Sequence, residues 1–377
     1  MQHLTSIQVA GFRSIREMDP LSLGPINVFI GANGSGKSNL VAFFDLLHAL
    51  SLCRLGSDEL GDWVARNGGA SSLLYYGTDV TSRVSARMNS PEQGGITYEI
   101  TLTPAGSDRF KVQESVEVIG EDTGPDAWVA PPDTILLASD SPWSRLPAPL
   151  RDALRSSHVF HLNNTSDSAR VKRLWRVADG LALKRDGGNL APFLMWLRAH
   201  SRAYYDRIVS VIRIVAPFFG DFVLEAADPD GEYVLLQWRE RGSDHALGPH
   251  QLSDGLLRFM VLTTLLLQPA ETLPGLTIID EPELGLHPAA VTTFGNLVYT
   301  ASDATQVILT TQSPALVDAF GPEDVVVVSR EREWPLSTGR YQSRFLRLDP
   351  DDLGEWMEDY ALSELWDKGV LGGRPQA

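Results

Sequence analysis

Gly31-Ala32-Asn33-Gly34-Ser35-Gly36-Lys37-Ser38 decides the fold of this 377-residue chain. Ahead of it Ile26 to Ile30 is a continuous apolar run, the length of a buried strand. Behind it Leu40, Val41, Phe43, Phe44, Leu47 and Leu50 recur at helical spacing, so Asn39 to Leu50 reads as a helix. Strand, glycine turn and helix form the setting in which G-x-x-x-x-G-K-[ST] has a mechanism. Successive backbone N–H groups and a helix N-terminus surround phosphate oxygens. Asn33, Gly34, Ser35, Gly36, Lys37, Ser38 and Asn39 then line a nucleotide phosphate site. Lys37 would reach the β and γ phosphates of ATP, and Ser38 would hold Mg2+ through its hydroxyl.

The second element is Leu276-Thr277-Ile278-Ile279-Asp280-Glu281-Pro282-Glu283. A buried strand ending in two carboxylates sets Asp280 beside the metal and Glu281 one step further, where it can polarise the attacking water. An acidic pair at a strand end is ordinarily a surface turn; behind a complete phosphate loop it gains meaning. About twenty residues earlier, Leu252-Ser253-Asp254-Gly255-Leu256-Leu257-Arg258 opens a helix. Ser253 is a good N-cap and Gly255 leaves a backbone N–H unobstructed.

Taken in this order, the Leu252–Arg258 stretch resembles the L-S-x-G signature of ABC-type ATPases, in the form found in RecF- and SMC-like proteins. Glu283-Leu284-Gly285-Leu286-His287-Pro288 is similar to the D-loop of that superfamily, and Thr310-Thr311-Gln312-Ser313-Pro314 to its switch loop. The switch position there commonly holds His, and Gln312 departs from that: an amide donates and accepts hydrogen bonds but carries no charge. Gly11-Phe12-Arg13-Ser14 resembles the Phe-Arg-Ser turn of RecF- and SMC-type heads, which makes Arg13 a candidate phosphate contact. His287 reads equally as a cap or as a contact to a facing nucleotide. Phe160 to Thr165 either supplies the family's magnesium-binding polar group or is a polar turn. The resemblance, to compact RecF/SMC-like ABC ATPases related to the ATPase part of OLD-family proteins, spans the whole chain, from Leu4 through the tail that begins at Asp349. It implies a head-to-tail homodimer in which Ser253 and Gly255 of one chain meet nucleotide held by Lys37 and Ser38 of the other.

The rest of the chain fills in the expected fold: α/β, a P-loop ATPase head with a mixed sheet, an antiparallel β subdomain and an inserted helical lobe. Leu4 to Val9 reads as a strand. Short alternating segments from Ser72 to Ile119 read as an antiparallel sheet, and Gly120 to Pro149, rich in Pro, Asp and Gly, as loop. Ala191 to Phe219 has helical periodicity, and Phe222–Glu225 and Tyr233–Arg239 read as strands. Helices Asp254–Leu267 and Ala289–Thr300 then alternate with strands Leu276–Ile279, Val307–Thr310 and Val325–Val328. The expected parts are residues 1–150, a basic 151–240 lobe, a C-terminal ATPase part at 241–348 and an acidic 349–377 tail.

Composition excludes several classes. A hydrophobic fraction of 43% and a charged fraction of 21% are those of a folded globular chain. One cysteine, Cys53, leaves no intramolecular disulfide or multi-cysteine zinc site and fits a reducing compartment. There is no apolar run of about 18 residues and no secretory signal pattern, so a cytoplasmic location and no membrane partner are expected, which counts against a transporter ATPase. No heptad arm interrupts the chain, and the 57 residues from Gly321 onward are expected to be too few for a fused nuclease.

The net charge of −16 conceals a partition. Between Arg145 and Arg213 thirteen Lys and Arg face five Asp, and Trp175 and Trp196 offer stacking surfaces. This stretch reads either as a DNA-tracking surface or as a solvated face or dock for an acidic partner. The obvious acidic partner is Leu348 to Asp367, an amphipathic segment without Lys or Arg. Two functions follow as expectations: an ATPase acting on DNA or licensing a separate nuclease in repair or anti-phage defence, or a slow nucleotide-gated module that holds a protein effector.

Overall fold

Strand Ile26–Ile30 is buried along its whole length because a sheet strand flanks it on each side and apolar layers cover both faces. The computed structural model describes residues 4–53, 58–91, 95–118, 128–129, 146, 148–162 and 164–371. Among them the central sheet runs in the order Tyr341–Arg347, Val325–Arg332, Ile26–Ile30, Gln306–Thr311, Leu276–Asp280, His158–Phe160. The pairings are parallel except at the outer hairpin, where Tyr341–Arg347 returns antiparallel to Val325–Arg332. The four valines Val325 to Val328 are buried, as a strand covered on both faces requires.

Alternation along these strands sorts side chains into two cores. Ile26, Val28, Ile30 and Ile279 face one core, shared with Leu257, Met260 and Leu265 of helix Asp254–Leu267 and with helices Leu190–His200, Arg202–Val215 and Pro288–Ser302. Phe29, Leu276 and Ile278 face the other, shared with Phe43, Phe44 and Leu47 of the phosphate-loop helix Lys37–Cys53. The loop helix and the signature helix thus lie on opposite faces of one sheet.

The second core also holds an antiparallel sheet in the order Ile15–Glu17, Ser6–Phe12, Val84–Ser90, Ile96–Ala105, Arg109–Val118, Trp128–Val129, with Leu21–Ser22 on Ser6–Phe12. Here several expectations need correction. The strand expected at Leu4–Val9 spans Ser6–Phe12 and pairs with Val84–Ser90, so the antiparallel sheet recruits the N-terminal strand and is not wholly inserted after the helix. The helix expected to begin at Asn39 begins at Lys37.

Of the loop expected over 120–149, Trp128–Val129 is a short strand and Ala148 begins helix Ala148–Arg155; most of the remainder lies outside the described residues. The helix expected from Ala191 to Phe219 is broken at Ser201, whose φ of −142° and ψ of 55° are not helical, and Phe219 opens strand Phe219–Val223. Periodicity persisted across the break because both helices bury apolar faces in one core. The single run expected at Tyr233–Arg239 is two strands, Tyr233–Val234 and Gln237–Glu240. The acidic tail forms helices Pro350–Asp359 and Leu362–Asp367. The second packs on helix Pro314–Val317, and Ser363 N donates to Asp318 Oδ1 at 2.8 Å. The tail's partner is therefore the segment after the switch loop, not the basic stretch it was expected to meet.

Candidate active site

The phosphate loop connects strand Ile26–Ile30 to helix Lys37–Cys53, and two of its glycines answer to steric demand. A Cβ on Gly31 would lie 2.3 Å from the Val328 carbonyl oxygen. Gly36 has φ +118°, and a Cβ there would stand 1.9 Å from Ser343 Oγ. Lys37 Nζ donates to the carbonyls of Gly31 and of Ala32, the latter at 3.1 Å. Burial lowers the Lys37 pKa, while the carboxylates of Glu281, Asp280 and Glu283 pull it upward. That coupling places the loop ammonium in the field of the acidic strand end.

Asp280 closes strand Leu276–Asp280 opposite Thr310 of the neighbouring parallel strand, and Thr310 Oγ1 donates to Asp280 Oδ1. Glu281 leaves the strand with φ +47°, a left-handed conformation costing about 1–3 kcal/mol for a non-glycine residue. Its N–H donates to the Thr310 carbonyl at 3.0 Å, and its carboxylate accepts from Gln312 Nε2. Glu283, whose sequence position alone assigns it no role, is tied to the same strand end. Its Oε1 accepts from Thr311 Oγ1 at 2.6 Å and from Gln312 N at 3.2 Å. Burial raises its pKa, opposed by the hydrogen bonds from Thr311 and Gln312, with Glu281 adding to the rise. Glu283 thus holds the strand end that presents Gln312 to Glu281.

A magnesium ion fits the donor chemistry on the loop side and the acidic side. The Ser38 hydroxyl is exposed at the loop and Asp280 supplies a carboxylate; hard oxygen donors of this kind suit Mg2+, which also takes substrate phosphates and waters. Among the described residues no group of three His, Cys, Asp or Glu forms a protein-only cage.

The signature segment sits on the other face. Ser253 Oγ caps helix Asp254–Leu267 by accepting from Leu256 N at 3.3 Å. Gly255 has a tertiary reason to lack a side chain: its Cβ would lie 2.1 Å from the Gly285 carbonyl oxygen. Arg258 Nε donates to the Leu162 carbonyl at 3.0 Å. The start of the signature helix is thereby seated against the Glu283–Pro288 loop. His287 caps the next helix, its Nδ1 accepting from Ala289 N at 3.3 Å, and its side chain is exposed.

Arg13 is not among the residues seated on the loop. Its guanidinium donates to Asn67 Oδ1 at 2.6 Å and lies over the Phe12 ring. The contact falls one residue on. Asn39 Nδ2 donates to Ser14 Oγ, Ser14 and Ser343 share a 2.6 Å hydroxyl contact, and Ser343 Oγ donates to the Ser35 carbonyl at 2.6 Å. A hydroxyl has one proton, so Ser14 donates to Ser343 and the four groups form a directed relay. Arg330 Nη1 also donates to the Gly34 carbonyl, at 3.2 Å. Ser343 and Arg330 carry no sequence signal, and Ser14 only its place beside Arg13.

Strand His158–Phe160 lies beside Leu276–Asp280, so the Phe160–Thr165 segment leaves the sheet next to Asp280. Asn163 lies outside the described residues, and Asn164 Oδ1 accepts from Ser166 N at 3.2 Å as a local turn. In the Arg145–Arg213 stretch most cations have partners. Arg170 pairs with Asp186, Lys172 with Asp254, Lys184 with Asp179, Arg185 with Asp45 and Arg202 with Asp206. Arg198 and Arg213 donate to the carbonyls of Leu224 and Gly220. Trp175 is buried, with Arg170 and Lys184 over its ring. Arg145 lies outside the described residues.

Comparison with known proteins bears on the family and the fold. The family described as "AAA domain, putative AbiEii toxin, Type IV TA system" matches residues 26–318. The chain is 23% identical over 246 residues to the DNA replication and repair protein RecF of Streptomyces avermitilis, covering 63% of this chain and 62% of RecF. It is 24% identical over 366 residues to the OLD nuclease of Thermus scotoductus, covering 88% of this chain and 62% of that enzyme. The chain therefore spans less than two thirds of the length of both relatives. Among solved structures, an SMC head bound to the C-terminal winged-helix domain of ScpA superposes with a TM-score of 0.56 at 13% identity, covering 95% of this chain and 100% of that one. The SMC head domain from Thermotoga maritima gives 0.50 at 13% identity, covering 92% and 100%. At such identity the likeness is one of fold.

Proposed function

The chain belongs to the AAA-domain family that spans its residues 26–318 and is an ABC-type ATPase of the RecF, SMC and OLD kind; from that premise we propose that it binds Mg2+ and ATP and hydrolyses the γ-phosphate bond. The phosphates lie on the loop N–H groups of residues 33–39, with Lys37 moving from the Gly31 and Ala32 carbonyls to the β and γ oxygens. Ser38 and Asp280 hold the metal. Glu281 takes the proton of the attacking water, and Gln312 keeps its carboxylate aimed. The observation that carries this reading is the contact of Gln312 with Glu281 at adjacent parallel strand ends, within the electrostatic reach of Lys37.

Two chains pair head to tail, Ser253 and Gly255 of one completing the site on the other, and the closing and reopening of this dimer drives the work. A DNA substrate, or a separate nuclease licensed by closure, is the favoured recipient, because RecF is a DNA replication and repair protein and OLD a nuclease. Repair or anti-phage defence is the setting. The competing assignment is a slow gate that holds a protein effector.

ATP turnover with and without DNA tests both levels. Glu281→Gln is expected to lower kcat at least 100-fold, about 2.7 kcal/mol of barrier, with ATP affinity retained. A variant that hydrolyses at the normal rate overturns Glu281 as the base. DNA-stimulated turnover favours the DNA assignment; tight ATP-dependent capture of a protein with no DNA effect favours the gate.

A further inference from the structure

The outer hairpin of the central sheet, Val325–Arg332 with Tyr341–Arg347, carries charges and rings beyond Arg330 and Ser343, whose side chains touch the phosphate loop. Register places Arg330 opposite Ser343 and Arg332 opposite Tyr341, and side chains two apart along a strand share a face. Arg330, Arg332 and Tyr341 therefore lie on the face whose Ser343 touches the phosphate loop. Arg330 reaches the Gly34 carbonyl, and the Arg332–Tyr341 pair stands about 7 Å further out. Arg332 donates to Tyr341 Oη at 3.1 Å. Tyr76 joins them: its hydroxyl accepts from Tyr341 N, and the Arg340 guanidinium lies 5.6 Å from its ring centroid.

The hairpin's own carboxylates do not neutralise this face. Glu331 lies on the opposite face, 3.7 Å from Arg344, and Glu333 is buried, taking Arg16 at 2.7 Å and the Tyr75 hydroxyl at 3.2 Å. Among the described residues Arg330, Arg332 and Arg340 have no carboxylate within 4.0 Å. At the hairpin's end Trp334 is 77% exposed, though burying such a ring would stabilise the fold. Arginine forks match phosphate oxygens, and exposed rings stack on unpaired bases.

We propose that this hairpin face is a binding surface for single-stranded nucleic acid, with Arg332 and Arg340 on the backbone, Tyr341, Tyr76 and Trp334 under the bases, and Arg330 linking the surface to the phosphate loop. The proposal rests on the reading of the chain as a DNA-linked ATPase and moves the contact from the Arg145–Arg213 stretch to the hairpin. An acidic peptide fits the charges but leaves the rings idle.

The test is anisotropy of a fluorescein-labelled oligothymidylate on the full chain across a salt series, with ATP affinity measured in parallel on a fluorescent ATP analogue. Arg332→Glu with Arg340→Glu is expected to weaken oligonucleotide binding at least tenfold and flatten the logarithmic salt slope by about 0.7 per lost phosphate contact. Trp334→Ala is expected to weaken binding with the salt slope unchanged. ATP affinity stays as in the wild type, and Arg173→Glu with Arg207→Glu, in the other stretch, leaves both untouched. Undiminished oligonucleotide binding by the hairpin variants overturns the proposal alone. Loss of ATP affinity in equal measure reassigns the face to the bound nucleotide, and displacement by polyglutamate as readily as by oligonucleotide reassigns it to an acidic protein; either overturns it. A wild-type chain that binds no oligonucleotide sinks the DNA-linked reading together with it.

Discussion

One oxygen of the Glu283 carboxylate is bonded twice, and the other is buried without a hydrogen-bond partner. An ionised carboxylate held this way is costly, and its pKa is raised chiefly by burial. The sign follows from proton counting: the folded state holds the proton to higher pH than the unfolded state. The contribution of this group to stability is thus complete below the ordinary glutamate value, about 4.3, and is lost as pH rises through the folded value. Glu283→Gln keeps the acceptor for Thr311 and Gln312 and removes the charge. Its Tm is expected to exceed that of the wild type at pH 8 and to match it near pH 4; a constant difference across that range refutes the burial argument. Glu283→Ala, which loses the acceptor, is expected to lower kcat about tenfold at unchanged KM, one well-placed hydrogen bond's worth. Asp280 and Glu281 were legible because a buried strand running into two acids is a sequence pattern. Glu283 was not, because its donors, Thr311 and Gln312, lie about thirty positions away in sequence, and the switch-loop pattern that marks them does not say which carboxylate they meet.

At the level of elements, the relay from Asn39 through Ser14 and Ser343 to the Ser35 carbonyl joins the loop helix, the N-terminal strand turn and the outer hairpin to one loop conformation. Each hydrogen bond contributes about 1 kcal/mol. Because Ser14 and Ser343 act in series, removing either breaks the same chain. Ser14→Ala and Ser343→Ala are each expected to weaken ATP binding about five- to tenfold by isothermal titration, and the double variant little more than either single one. Strictly additive losses would show the serines to be independent. Strand Tyr341–Arg347 escaped the sequence reading for the same reason that it matters. Of its two buried positions, Phe345 is apolar and Ser343 is a hydroxyl required by loop backbone, so no hydrophobic alternation announced it. The strands at Ile26, Leu276, Gln306 and Val325 were visible as apolar runs because sheet and helices bury them on both faces. The break at Ser201 was masked by two helices with a common core.

For the whole molecule, the two cores bear on the proposed pairing of two chains. The phosphate-loop helix packs on one face of the central sheet and the signature helix on the other, so their N-termini do not converge within one chain. Each is a place where helix N–H groups and the helix dipole favour an anion, and Ser253 is exposed at the second. A head-to-tail pair brings the signature of each chain over the loop of the other, a self-complementary two-fold arrangement. The sequence order of the motifs implied this pairing only by resemblance; the placement on opposite faces supplies a physical reason. If ATP is the adhesive, Glu281→Gln, predicted to bind ATP without hydrolysing it, is expected to sediment at twice the chain mass in Mg2+ and ATP and at the chain mass without nucleotide. Adding Ser253→Arg sets a long side chain over the helix start that, in the proposed pair, would face the partner's phosphates, while leaving Lys37 and Ser38 untouched. That double variant is expected to bind ATP within about threefold of Glu281→Gln, under 0.7 kcal/mol, and to remain a single chain at all ATP concentrations. A double variant that still pairs shows that Ser253 is not at the interface, and one that loses ATP binding in proportion shows that the signature serves nucleotide on its own chain.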